Sequence, residues 1–187
     1  MRKIKTKMSY QNLKLSDKAP KEILVVVEIS KGSDVKYELD KESGFLMVDR
    51  FLYTSMVYPF NYGFIPQTLA EDEDPVDVLV LSEKSILPQA VLKAKPIGVL
   101  IMEDEAGQDE KIVAVPLAKI DPVYSRYDNI NQLEDSTKNK IKHFFEYYKT
   151  LEPGKWVKVK KWLNKNDAEK MILKAIKRFE SNKNHKK

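Results

Sequence analysis

Two clusters of carboxylates are the most distinctive chemical feature of the chain. The first, EDEDPVD at residues 71–77, runs directly into the apolar stretch VLVL, and the second is EDEAGQDE at residues 103–110. Two like charges about 4 Å apart repel by roughly 4 kcal/mol at an effective dielectric near 20. Each cluster is therefore either a solvated acidic turn, screened by salt, or part of a site for divalent cations.

The residue types that the sequence lacks restrict the ligands of such a site. The chain has no cysteine and only two histidines, His143 and His185, the second in a lysine-rich tail. A disulfide, a thiolate zinc site and a cysteine nucleophile are excluded, which suits a reducing cytosol. A metal site would use oxygen ligands, which favours Mg²⁺, Mn²⁺ or Ca²⁺ over zinc.

Several common catalytic and binding motifs are missing. The six glycines form neither a dinucleotide-binding fingerprint nor a P-loop, since Gly154 and Lys155 are followed by Trp156. The chain contains no HExxH zinc motif. The first acidic cluster is not an EF-hand loop, because Asp77 stands where that loop needs glycine.

Basic residues lie at strand positions comparable to those of the acidic clusters. Lys36 is beside Glu38, Arg50 follows MVD, and Lys111 comes two residues after Asp109. Each alone is typical of a solvated charge, but together they predict a pocket with metals on one side and phosphate-binding cations on the other. Such a pocket suits a small, highly charged phosphate compound and metal-assisted phosphoryl transfer to water.

The formal net charge of +5 is concentrated near the two ends of the chain. Residues 1–7 carry +4 and residues 177–187 a net +4, so residues 8–176 carry −3. Basic tails on a mildly acidic body are typical solubility features, with nucleic-acid contact as the alternative. The N-terminus lacks an apolar signal region and no run approaches 18 apolar residues, so we expect a cytoplasmic protein without a membrane segment.

Hydrophobic periodicity predicts many short strands followed by two helices. Strands are predicted at residues 22–29, 34–39, 45–51, 76–81, 90–102 (interrupted at Pro96), 111–116 and 154–163. An aromatic loop is predicted at residues 58–69, one helix at 135–151, and a second from Asn166 with Glu169 as its capping-box partner. This order favours a small closed barrel with helices outside, in a single domain over residues 1–187 with a partly extended segment 1–20 and a basic tail 180–187.

The motifs also carry a family likeness. EDEDPVDVLVL resembles the D-x-D-P-x-D signature of the soluble family I inorganic pyrophosphatases. Five further segments are similar to that family in its order, namely KYELDKESGFLMVDRF, YPFNYGFIP, PIGVLIMEDEAGQDEKIVAVP, HFFEYYK and GKWVKV. The likeness runs from about residue 22 to residue 161 and is closer to the bacterial branch. It implies an OB-like five-stranded closed barrel, Mg²⁺-dependent hydrolysis of pyrophosphate to two phosphates by a metal-activated water, and a homohexamer.

The resemblance also implies a role for each matching residue. Asp74 would be the general base, and Glu28 an outer-shell carboxylate. The metal ligands would be Asp72, Asp77, Asp104, Asp109 and Glu38, with Asp77 bridging two metals. The groups that hold the phosphates would be Lys36, Arg50, Tyr62, Lys111, Tyr148 and Lys149.

One residue departs from the family pattern. The position between the first two signature aspartates is usually small, often glycine, and here it is Glu73. If the loop needs a positive φ there, glutamate carries a strain cost.

A binding protein for nucleic acid is the alternative from another class, because OB barrels also serve that function. It would use the basic tails and the aromatic residues Tyr53, Tyr58, Phe60 and Tyr62 as stacking platforms. The two acidic clusters argue against it, since without metals they would repel a phosphodiester backbone.

Overall fold

The computed structural model describes residue 10, residues 13–40 and residues 43–185, with side chains described as far as residue 183. Within these residues the strands are β1 (Ile23–Ile29), β2 (Val35–Leu39), β3 (Leu46–Phe51), β4 (Asn61–Phe64), β5 (Asp77–Val80), β6 (Val91–Asp104), β7 (Gly107–Pro116) and β8 (Val157–Asn164). The α-helices are α1 (Asp135–Tyr147) and α2 (Lys165–His185). The basic residues 1–7 and 186–187 lie outside the described part of the chain.

Five strands close into a ring. β1 pairs with β4, β4 with β5, β5 with β7, β7 with β6, and β6 again with β1. All of these pairs are antiparallel except β5 with β7. β8 extends the sheet beyond β6, and β2 and β3 form a separate two-stranded hairpin. The predicted fold class, mainly β with a closed five-stranded unit, flanking strands and two C-terminal helices, is confirmed.

Both faces of the central strands are apolar because a different helix packs on each. Val78 of β5 belongs to a buried cluster that includes Ile172 of α2. Its neighbour Leu79 belongs to a second cluster that includes Phe144 and Phe145 of α1. Since successive side chains of a strand point to opposite faces, a strand covered on both sides has a continuous apolar sequence.

The segment 58–69, predicted as a loop, contains strand β4. Gly63 lies opposite Val27 on one side and Val78 on the other. A Cβ at Gly63 would lie 1.9 Å from the carbonyl oxygen of Val26, so only glycine permits this close approach. A four-residue strand with a central glycine has no recognisable strand pattern, which is why the prediction was wrong.

The β6–β7 hairpin is longer than predicted. β6 continues through Pro96, because a register shift between Pro96 and Gly98 accommodates a residue without an amide hydrogen. Asp104 lies opposite Gly107 across the hairpin, so only residues 105 and 106 form the turn. Most of the second acidic cluster therefore belongs to strands, and the pairing of the strands sets the direction of its side chains.

The start of α2 also differs from the prediction. The Oδ1 atom of Asn164 accepts hydrogen bonds from the backbone N–H groups of Asn166 at 2.8 Å and Asp167 at 3.3 Å. Asn164, rather than Asn166, therefore caps the helix. α2 continues to His185, into the predicted tail. No helix in the described ranges is both long enough and apolar enough to cross a membrane.

Candidate active site

A cleft of about 370 Å³ is lined mainly by charged and tyrosine side chains. Its lining contains all thirteen residues that the resemblance implied, which come from both acidic clusters, the β2–β3 hairpin, β1, β4 and the end of α1. They are Glu28, Lys36, Glu38, Arg50, Tyr62, Asp72, Asp74, Asp77, Asp104, Asp109, Lys111, Tyr148 and Lys149. The structure thus brings these residues together, while their individual roles stay predictions.

The parallel pair β5–β7 brings a buried lysine between two aspartates of the cleft. Lys111 on β7 is only 6% exposed, and its ammonium lies 2.5 Å from Oδ2 of Asp77 and 2.8 Å from Oδ1 of Asp109. Burial alone would lower the pKa of Lys111, but the two carboxylates raise it above its ordinary value. Burial raises the pKa of Asp109, against the opposing effect of Lys111. Lys111 is therefore a fixed positive charge between the two acidic clusters.

The end of α1 joins the turn of the β6–β7 hairpin through ion pairs. Nζ of Lys149 lies 2.9 Å from Oδ2 of Asp104 and 3.8 Å from Oε1 of Glu105. Nζ of Lys155 lies 2.5 Å from the same Glu105 oxygen, and Lys155 lines the cleft. Sequence reasoning assigned no role to Glu105 or Lys155, although both fall inside segments that resemble the family.

The β2–β3 hairpin supplies two more cations, which share one carboxylate. Nζ of Lys36 lies 3.1 Å from Oδ2 of Asp49, and Nη1 of Arg50 lies 2.5 Å from the same oxygen. Although burial acts to raise the pKa of Asp49, Lys36 and Arg50 lower it below the ordinary value. Lys36 also pairs with Glu38. Asp49 was not predicted, and it holds two predicted phosphate-binding groups side by side.

Glu28 on β1 is a partly buried carboxylate that lines the cleft. Its Oε1 accepts a hydrogen bond of 2.8 Å from the backbone N–H of Leu39. Burial is the main reason that the pKa of Glu28 is raised to about 7. This hydrogen bond attaches β1 to β2, the strand that carries the cleft residues Lys36 and Glu38.

Tyr148 combines core packing with a place in the cleft. Its ring stacks on Phe144 with 5.0 Å between centroids, and the residue is 7% exposed. α1 ends at Tyr147, and Tyr148 is the C-cap residue. Tyr148 therefore packs its ring in the core and also lines the cleft, where the resemblance implied a site residue.

The loop that carries the first acidic cluster has one unusual backbone conformation. Oδ1 of Asp72 accepts a hydrogen bond from the backbone N–H of Asp74 at 3.0 Å, and the backbone N–H of Ala70 donates to the carbonyl of Asp74 at 2.7 Å. Glu73, which lies between Asp72 and Asp74, has φ of 69°, in the left-handed region. Glutamate thus occupies a position suited to glycine, as the departure from the family pattern suggested.

Glu73→Gly is expected to raise the free energy of unfolding by about 1 kcal/mol, because glycine adopts positive φ without a steric cost. Chemical denaturation in EDTA measures the change without metal binding. The matched control Glu83→Gly replaces an exposed glutamate outside the positive-φ residues and should lower stability instead. A Glu73→Gly variant that is destabilised as much as the control would show that the loop is not strained at Glu73.

The donor set of the cleft fits a hard divalent cation. Its possible ligands are carboxylate oxygens, which Mg²⁺ prefers, and its lining includes neither cysteine nor histidine. Among the described residues no three acidic or histidine side chains are grouped as a ready cation cage. Lys111 and Lys149 lie between the carboxylates instead. Divalent cations that bind to these carboxylate oxygens would replace some of their ion pairs with Lys111 and Lys149.

Comparison with known proteins identifies the family. The family model described as inorganic pyrophosphatase matches residues 25–180. Curated inorganic pyrophosphatases from Aeropyrum pernix and Aquifex pyrophilus are 57% and 54% identical, over 87% and 92% of this chain and 93% and 97% of their own lengths. The solved inorganic pyrophosphatase of Helicobacter pylori superposes with a TM-score of 0.87 at 56% identity, covering 90% of this chain and 99% of that one. On this evidence the chain belongs to the inorganic pyrophosphatase family.

Proposed function

We propose that this enzyme hydrolyses inorganic pyrophosphate to two orthophosphates and depends on Mg²⁺. The observation that carries the proposal is the convergence of two acidic clusters and at least four cationic side chains on one cleft of about 370 Å³. A small polyanion with bound divalent cations is the ligand whose charges complement both sets of residues.

The residues proposed as metal ligands are Asp72, Asp77, Asp104, Asp109 and Glu38. Bound Mg²⁺ would lower the pKa of water and neutralise charge on the phosphates. Glu28, whose pKa is raised, is proposed as an outer-shell carboxylate. Its hydrogen bond to β2 positions the strand that carries the proposed ligand Glu38.

The cations of the cleft bind and orient the two phosphates. Arg50 offers a planar guanidinium that grips phosphate oxygens in two places, whereas Lys36, Lys111 and Lys149 act as point charges. The hydroxyl groups of Tyr62 and Tyr148 would donate hydrogen bonds within the site. These residues lie on β2, β3, β4, β7 and the end of α1, so the substrate is held from several directions.

Asp74 is proposed as the general base that accepts a proton from the attacking water. It is exposed and lines the cleft, in the same loop as the proposed ligand Asp72. Asp77, by contrast, is paired with the buried Lys111. The loop therefore presents the proposed base Asp74 to solvent and holds the proposed ligand Asp77 against the ammonium of Lys111.

A nucleic-acid-binding role receives little support from the aromatic residues. Tyr58, Phe60 and Tyr62 are 2%, 5% and 8% exposed, so their rings are packed rather than available for stacking on bases. Tyr53 is 61% exposed. A cytoplasmic location and a homohexameric assembly remain predictions from the sequence and the resemblance.

Phosphate release from pyrophosphate, with Mg²⁺ and with EDTA, tests the proposal. We expect rapid release at millimolar Mg²⁺ and none above background in EDTA. Binding to a single-stranded oligonucleotide, measured in parallel, should be weak at physiological salt. Tight binding that falls steeply with salt and ignores Mg²⁺, without phosphate release, would favour the nucleic-acid alternative.

A further inference from the structure

Glu152 is an acidic residue with a mostly covered side chain, and the proposed mechanism gives it no role. It lies in the turn between α1 and β8, and its side chain is 9% exposed. Its backbone N–H donates to the carbonyl of Lys149 at 2.9 Å, and its carbonyl accepts from the N–H of Lys155 at 3.1 Å. It is absent from the cleft lining, whereas Lys149 and Lys155 belong to it. The backbone of Glu152 is therefore hydrogen-bonded to two residues whose cationic side chains line the cleft.

The side chain of Glu152 reaches a residue 102 positions away. Its Oε1 accepts a hydrogen bond of 3.0 Å from Nε of Arg50. On another nitrogen of the same guanidinium, Nη1 donates to Oδ2 of Asp49 at 2.5 Å. Two carboxylates on two different nitrogens restrict rotation of the planar group, so its orientation is set before a ligand binds.

We propose that Glu152 is a positioning residue for phosphate binding, which orients the guanidinium of Arg50 and ties it to the turn that carries Tyr148 and Lys149. The inference rests on the proposed pyrophosphatase function. Asp49 holds Arg50 from its own strand, whereas Glu152 links Arg50 by a hydrogen bond and ion pair to the turn that follows α1. The phosphate-binding groups of β3 and of α1 are thereby held at a constant separation.

A positioning role and a purely structural one differ in what they change. If Glu152 only joined β3 to the turn, its replacement would lower stability and leave the kinetic constants of the folded enzyme unaltered. If it orients Arg50, its replacement weakens a contact made in both the ground state and the transition state, so KM rises while kcat changes little.

The experiment compares Glu152→Gln and Glu152→Asp with the matched control Glu146→Gln. Glu146 is a glutamate of α1 that lies 3.9 Å from Lys142 and does not line the cleft. We expect Glu152→Gln to raise KM for magnesium pyrophosphate by about tenfold, the order of one charge-assisted hydrogen bond, with kcat within about threefold. Glu152→Asp should recover part of the loss, and the control should behave as wild type.

The same substitution in an Arg50→Lys background tests the partner directly. Because lysine lacks the guanidinium that Glu152 orients, adding Glu152→Gln should then raise KM by less than about twofold. A full additional tenfold rise in that background overturns the inference, and so does an unchanged KM in the single variant. Wild-type protein without hydrolysis would overturn the proposed function itself, whereas active wild type with an unaltered Glu152→Gln would overturn the positioning role alone.

Discussion

Asp74→Asn is expected to lower kcat by about 10²–10⁴-fold, the usual contribution of general acid–base catalysis. Asparagine keeps the size and shape of the side chain but cannot accept the proton of the attacking water. The Mg²⁺ concentration that gives half-maximal activity should change little, because Asp74 is not proposed as a metal ligand. Steady-state phosphate release over a range of Mg²⁺ concentrations measures both quantities.

The matched control is Asp77→Asn in the same signature. Asp77 is proposed to hold metal and is paired with Lys111, so its replacement should weaken Mg²⁺ affinity and kcat together. Near-normal turnover combined with loss of Mg²⁺ affinity in Asp74→Asn would contradict the division of roles. The base would then be sought at Asp109.

Lys111→Met is expected to lower the free energy of unfolding by about 3 kcal/mol in EDTA. Methionine fills a similar volume, but Asp77 and Asp109 lose the ammonium that lies between them, and uncompensated charge in a partly buried site is strongly destabilising. Mg²⁺ should restore more stability to this variant than to wild type, since divalent cations supply charge to the same oxygens. Activity should not recover with it, because a phosphate-binding cation is missing.

Thermal denaturation with and without Mg²⁺ measures this difference. The control Lys95→Met removes a lysine that pairs with the exposed Asp128 outside the cleft, so the expected change is below about 1 kcal/mol with normal activity. Mg²⁺ could instead raise the melting temperature of Lys111→Met and of wild type by the same amount. That result would show that Mg²⁺ does not bind to the same Asp77 and Asp109 oxygens as the Lys111 ammonium.

Much of the site was predictable from residue types and their order along the chain. The segment EDEDPVD, the absence of cysteine and the paired basic positions indicated oxygen-ligated metals and phosphate. The resemblance then led to thirteen residues, all of which line the cleft. Local patterns also predicted most strands and both helices, because amphipathic and β-branched runs reflect burial residue by residue. Even the strain at Glu73 could be anticipated, since it depends on one residue in one turn.

The contacts that couple these residues depend on the tertiary structure alone. β4 forms because β1 and β5 lie on either side of it, and the continuation of β6 through Pro96 depends on a register shift against β7. The contact between Arg50 and Glu152 joins residues 102 positions apart. Periodicity reports the burial of each residue, whereas strand pairing and ion pairs depend on which distant segments meet. The sequence by itself therefore determined which groups could bind metal and phosphate, and only the folded chain decided which carboxylate holds which cation.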